Sequence, residues 1–187
     1  MTGEEKERLR QRVLSEGADR AAFVPVKEIC FDRSFRDICA TNACGNYGRC
    51  WMCPPDVGEI DEMMDRARTF DTALVYQTVD PLEDSFDFEG MMAAAARSSR
   101  ISQRLTGVFR GWGLGRWLQL GAGGCHVCER CAKQTGEPCR HPDLALASLE
   151  TYGINVSLLA SAAGMKYING QNTVTYFGAL LFCEDEK

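Results

Sequence analysis

Apolar positions recur along the chain at two periods, and each period points to an element. Residues 4–17 are densely charged apart from Leu9, Val13 and Leu14, a narrow apolar stripe at helical spacing that predicts a helix ending at Gly17. Ala22–Val26 reads as a short extended segment. Ile60, Met63, Met64 and Ala67 fall at i, i+3, i+4 and i+7, the pattern of a one-sided helix. Thr72–Val79 is rich in β-branched and aromatic residues and stops at Asp80-Pro81, which predicts a strand. From about Gly90 to Phe109, the residues Met92, Ala95, Ile101, Leu105, Val108 and Phe109 can share one face of a long helix. A glycine-rich turn at 111–115 leads to a strand at Arg116–Leu120. Residues 142–164 read as mostly helical with a break near Gly153, and Thr173–Phe182 reads as a strand before an acidic tail. Strands separated by helices predict one layered sheet-and-helix domain over residues 1–187, of α/β or α+β class. Two stretches without a period interrupt it, cysteine-rich loops at 39–55 and 124–140.

Composition narrows the field. A chain of 187 residues that is 45% hydrophobic can bury one sizeable core. Its net charge of -5 argues against a nucleic-acid binder, which usually carries a basic surface. No apolar run approaches the ~20 residues needed to cross a bilayer, and the charged first twenty residues lack an apolar signal core. The expectation is a soluble cytoplasmic protein with no membrane partner.

The cysteines carry the chemistry. There are ten, at 30, 39, 44, 50, 53, 125, 128, 131, 139 and 183. At about 5% of the chain they fall short of a disulfide-built scaffold, and in a reducing compartment clustered thiols bind metal or do redox work. Cys125-x2-Cys128-x2-Cys131, with Cys139 after a further seven residues, is the ligation logic of a [4Fe–4S] cluster: three closely spaced thiolates and a fourth from farther away. Cys39, Cys44, Cys50 and Cys53 form a second set, closed by Pro54-Pro55, with Gly45 and Gly48 available for tight turns. Zinc is the alternative. A zinc ribbon pairs C-x2-C elements about 15–20 residues apart, whereas here the two such elements are separated by 71 residues, so two sites are the simpler reading. Cys30 and Cys183 stand alone beside apolar neighbours and read as small buried hydrophobes.

Other features have plainer readings. The glycine runs at 111–115 and 121–124 match no nucleotide-binding fingerprint and read as turns. His126 and His141 accompany the second cysteine set and can sit beside a cluster or face solvent. Arg97, Arg100, Arg104 and Arg110 recur at helical spacing, either as a solvated face or as a docking stripe for an acidic partner or anionic cofactor. No serine–histidine–aspartate, H-E-x-x-H or paired-carboxylate pattern is present, and no catalytic residue is assigned.

The segment Asn42-Ala-Cys-Gly-Asn-Tyr-Gly-Arg-Cys-Trp-Met-Cys-Pro-Pro55 resembles the signature of a bacterial and archaeal family of predicted metal-binding proteins, domain of unknown function 2284. Gly124-Cys-His-Val-Cys-Glu-Arg-Cys131 with Pro138-Cys-Arg140, Ser148–Asn155 and the Val174–Phe177 region are similar to further parts of it. The resemblance implies metal binding without naming a reaction, and points to Cys44, Cys53, Cys125, Cys128, Cys131 and Cys139 as motif positions.

Together these readings predict an iron–sulfur protein with two clusters, both [4Fe–4S], that transfers electrons to a redox partner or reduces a small substrate or cofactor. A zinc-stabilised binding module and a metal carrier or maturation factor are the alternatives. If Cys39 or Cys50 is not a ligand, the first set is where an iron would stand open to substrate.

Overall fold

The computed structural model describes residues 1–184; the acidic tail beyond Glu184 lies outside the described residues. Four strands, β1 (Arg20–Pro25), β2 (Thr72–Pro81), β3 (Trp117–Leu120) and β4 (Thr173–Phe182), form one sheet in the order β1-β2-β4-β3. Every pairing is antiparallel, which decides between the two expected classes in favour of α+β.

Strand alternation supplies two cores, one on each face of the sheet. Leu74, Tyr76, Leu180 and Phe182 face helices α1 (Gly3–Ser15) and α4 (Phe88–Gly111). Ala73, Val75, Phe177, Ala179 and Leu181 face the opposite layer, built from α3 (Ile60–Arg68), α5 (Val156–Ala162) and the chain from Ala147 to Ile154. Each long helix begins where its cap chemistry dictates. Thr2 and Glu5 form a reciprocal capping box at α1, and the Asp87 carboxylate accepts the Gly90 N–H at the start of α4. In α1 the buried pair is Leu9 and Val13, and in α3 all four periodic residues are buried, as their spacing predicts.

The buried face of α4 departs from its hydrophobic pattern. Met92 is exposed, and the inward positions are Ala94, Ser98, Ile101, Ser102, Leu105, Thr106 and Phe109. Three hydroxyls sit in that face because the sheet beneath has partners for two of them. Tyr76 Oη donates to Ser102 Oγ at 3.0 Å, and Thr106 Oγ1 donates to Gln119 Oε1 at 2.7 Å. The Gln119 amide donates in turn to the Ser102 carbonyl at 2.7 Å, so burial costs these polar groups little.

Residues 142–149 are not helical. Gly121 N–H donates to the Ala147 carbonyl and Leu149 N–H to the Gly121 carbonyl, so this backbone spends its hydrogen bonds continuing the β3 edge. Helical structure is confined to a single 3-10 turn, Glu150–Tyr152, and to α5, separated by Gly153 at φ 70°. A helix that no periodicity announced, α2 (Phe35–Ala40), leads into the first cysteine loop and carries Cys39. Cys183 is buried as expected, but Cys30 is exposed, because its neighbours Ile29 and Phe31 take the inward positions of an extended segment.

The arginine stripe is largely consumed inside the fold. Arg97 donates to Asp80 at 3.0 Å, to Asp19 at 3.2 Å and to the Gly17 carbonyl at 2.9 Å, pinning α4 to the α1–β1 turn. Arg104 reaches Glu16, and Arg110 the Asp143 carbonyl. Replacing Arg97 by Ala is therefore expected to cost roughly 1–2 kcal/mol of stability, against less than about 0.5 kcal/mol for Arg100→Ala, with urea denaturation as the measurement. Equal effects would show that the Arg97 contacts do not anchor the helix. No helix among the described residues is long and apolar enough to cross a membrane.

Candidate metal centre

Both cysteine loops are poor in apolar burial. Between Phe31 and Arg49 no side chain is buried, and between Ala122 and Leu146 only Ala132 is. Such segments lack the hydrophobic contacts that usually fix a chain, so turns, polar contacts and thiol chemistry must do so. Gly45 and Gly48 adopt φ of 73° and 67°, the tight turns their positions suggest, and Gly48 N–H closes the loop on the Pro54 carbonyl at 2.8 Å.

Folding brings the two loops together. The Trp51 indole donates to the Glu137 carbonyl at 2.9 Å, and Arg49 donates to the Gln134 side chain at 3.1 Å. Lys133 pairs with Asp56 and stands 4.4 Å from the centre of the Trp51 ring. Gly124 lies so close to Asn46 that an added Cβ would come within 2.8 Å of its amide nitrogen.

At this junction Cys39, Cys44 and Cys53 line a cavity of about 80 Å³, together with Asn46, Tyr47, Ser148 and Thr151. Its wall includes no Asp or Glu, so sulfur is the metal-ligating chemistry it offers. Ser148 and Thr151 are held as a pair, their hydroxyls 3.0 Å apart. The Cys50 sulfur, buried, interacts with the Cys53 and Cys131 thiols and with the backbone N–H groups of Met52 and Cys125. Cys125 in turn lies within electrostatic reach of Cys50 and Cys139, and Cys128 stands beside the Arg140 guanidinium. Seven of the eight loop cysteines thus form one continuous run of interacting thiols, with Cys128 alongside.

Their electrostatics follow from that crowding. Cys50 and Cys53 share a hydrogen bond that favours the Cys50 thiolate, holding Cys50 below and Cys53 above the ordinary thiol range; burial pushes Cys53 further up. Burial also raises Cys39, partly offset by the Arg36 guanidinium, and raises Cys125 against hydrogen bonds from the Val127 and Leu146 N–H groups. A thiophilic cation binds the thiolate, so a metal held by Cys39, Cys53 or Cys125 would have to displace the proton that burial keeps there. Among the described residues, no three His, Cys, Asp or Glu side chains are already drawn together as a metal-ion site, so the loops bring the donors near one another without a finished coordination shell.

A second cavity, of about 90 Å³, opens between α4 and the glycine run that leads into the second loop, with Ser98, Ser99, Cys125, His126 and Tyr176 on its walls. Both histidines are exposed; His126 lines this space, and His141 lines neither cavity. Asn46, Ser148, Thr151 and Trp51 were not singled out as site residues by their spacing. Only the inclusion of all four in the quoted family segments hinted at them.

Sulfur donors carried on two apposed loops of an α+β domain fit the class of metal-binding proteins. The model of the family described as predicted metal-binding protein (DUF2284) matches residues 22–182, and the chain belongs to that family. No curated protein and no solved structure matches the chain.

Proposed function

We propose that the protein carries two iron–sulfur clusters of [4Fe–4S] type, one at each cysteine loop, and works in electron transfer or in the reduction of a small molecule. The observation that carries this reading is the convergence of loop cysteines 71 residues apart in sequence on one junction, beside a cavity whose metal donors are thiols alone. Thiolates in that number suit iron–sulfur ligation, and such a cluster supplies one-electron chemistry at a potential set by hydrogen bonds, charge and burial. The chain's own contribution is legible around Cys125 and Cys50. Backbone N–H groups of Val127 and Leu146 point at the Cys125 sulfur, and that of Cys125 at Cys50, which stabilises negative charge on sulfur. Arg140, paired with Glu137, stands beside Cys128 at the rim.

A redox partner protein or a small-molecule substrate completes this reading, in a reducing, cytoplasmic setting. The test is iron, zinc and acid-labile sulfide per chain on protein purified without oxygen. About eight irons with matching sulfide is the expected result. About two zincs without sulfide would sink the redox reading and leave the cysteines as staples of a binding module.

A further inference from the structure

The four thiols of the first loop do not behave as one set. Cys39, Cys44 and Cys53 share the walls of one cavity, and Cys50 is absent from them. Both chain neighbours of Cys50 clasp the other loop instead, Arg49 through Gln134 and Trp51 through the Glu137 carbonyl. The peptide between those anchors is thereby held over residues 125–139, and the Cys50 side chain, only 3% exposed, meets the Cys131 thiol and the Cys125 backbone N–H there. Cys53, three residues on, keeps a hydrogen bond to the Cys50 thiol and also lies within electrostatic reach of Cys44 and Cys39, with which it shares the cavity wall.

Resting on the reading of two thiol-bound centres, we propose that Cys50 is a ligand of the second centre, with Cys125, Cys131 and Cys139, and that the first is a three-cysteine site of Cys39, Cys44 and Cys53. The Cys50-x2-Cys53 segment then places one donor in each centre and couples them through a single turn, closed by the Cys53 N–H to Cys50 carbonyl hydrogen bond at 3.0 Å. A metal cluster held by three cysteines keeps one position for an exogenous ligand. Ser148, Thr151 and the Asn46 amide line the same cavity as these three thiols and would be the groups able to orient a small polar molecule beside such a centre.

The experiment compares single substitutions in the full chain, prepared without oxygen, by metal content and by the electron paramagnetic resonance spectrum of the reduced protein. Cys44→Ser and Cys125→Ser supply the reference spectra of the protein lacking the first and the second centre. In Cys50→Ser the metal content is expected to fall by about half, and the surviving spectrum to match that of Cys125→Ser. A match to Cys44→Ser, or full retention of metal, overturns the assignment. If Cys50→Ser loses both centres or does not fold, Cys50→Asp, which keeps an anionic donor, decides. It should alter the second-centre signal alone, and any change in the first-centre signal counts against the proposal. Zinc in place of iron would overturn the iron–sulfur reading but not the ligand assignment, since cobalt substitution and its thiolate-to-metal absorption permit the same comparison. A chain that binds no metal overturns both.

Discussion

Removing the metal is expected to free both cysteine loops while the sheet and its two cores stay folded. Hydrogen exchange should accelerate about a hundredfold or more at amides such as Gly48 and Cys53, equivalent to roughly 3 kcal/mol of local stability, and stay unchanged in β2 and β4. The asymmetry follows from burial. Leu74, Val75, Leu180 and Leu181 are fully buried and hydrogen-bonded on both strand edges, so nothing in their protection depends on the loops. Residues 31–49 bury no side chain, and the clasp onto the second loop consists of a few polar contacts near the surface, each worth about 1 kcal/mol. Metal bonds to thiolates would be the strongest forces acting on those segments. If chelation leaves loop exchange unchanged, the loops are self-supporting and the metal is not what orders them. If it melts the sheet as well, the domain depends on metal as a zinc finger does.

The second large effect is expected at Gly178, at the centre of the sheet. Gly178 pairs directly with Tyr76, whose ring lies across it, and an added Cβ would stand 2.5 Å from Tyr76 Oη and 2.6 Å from its Cε2. The ring has nowhere to go. It is nearly fully buried against α4, and its hydroxyl is held by Ser102 at 3.0 Å and by the Gln119 amide at 3.3 Å. Gly178→Ala must therefore displace Tyr76, break both hydrogen bonds and strand the Gln119 and Ser102 groups, a cost of about 3–5 kcal/mol. Chemical denaturation measures it, and a loss below about 1 kcal/mol would mean that the sheet can shift to make room. Adding Tyr76→Leu to Gly178→Ala should recover part of the loss, because the smaller side chain removes the clash, and a double-mutant cycle reads that coupling.

Both effects were only partly visible in the chain itself. The β2 and β4 strands were legible because strands buried on both faces read as near-continuous runs of β-branched, aromatic and aliphatic residues, and Thr173–Phe182 falls where its pattern puts it. The close approach of Tyr76 to Gly178 was not, since a glycine in a strand announces a bulge or a close contact without naming the partner. In α4 the pattern failed for a different reason. Hydrophobicity set the helix face by Met92 and Val108, but Ser102 and Thr106 are buried, with Ser98 on the same face, because Gln119 and Tyr76 offer the first two hydrogen bonds from strands far away in sequence. Residues 142–149 had helix-forming composition yet pair with Gly121, and a strand edge in need of partners outweighs a propensity of a few tenths of a kcal/mol per residue.

By itself the sequence determined the element types with strong periods, the existence of two cysteine loops and the thiol chemistry they offer, because these depend on local residue order. Tertiary structure alone decided that the four-stranded sheet is wholly antiparallel, that the two loops meet, and that Cys50, while hydrogen-bonded to Cys53 in its own loop, also reaches Cys125 and Cys131. Spacing limits how far apart neighbouring thiols can be. It says nothing of which loop will be docked against them, and here that is settled by contacts such as Trp51 on Glu137, between residues 86 apart in sequence that local residue order cannot pair.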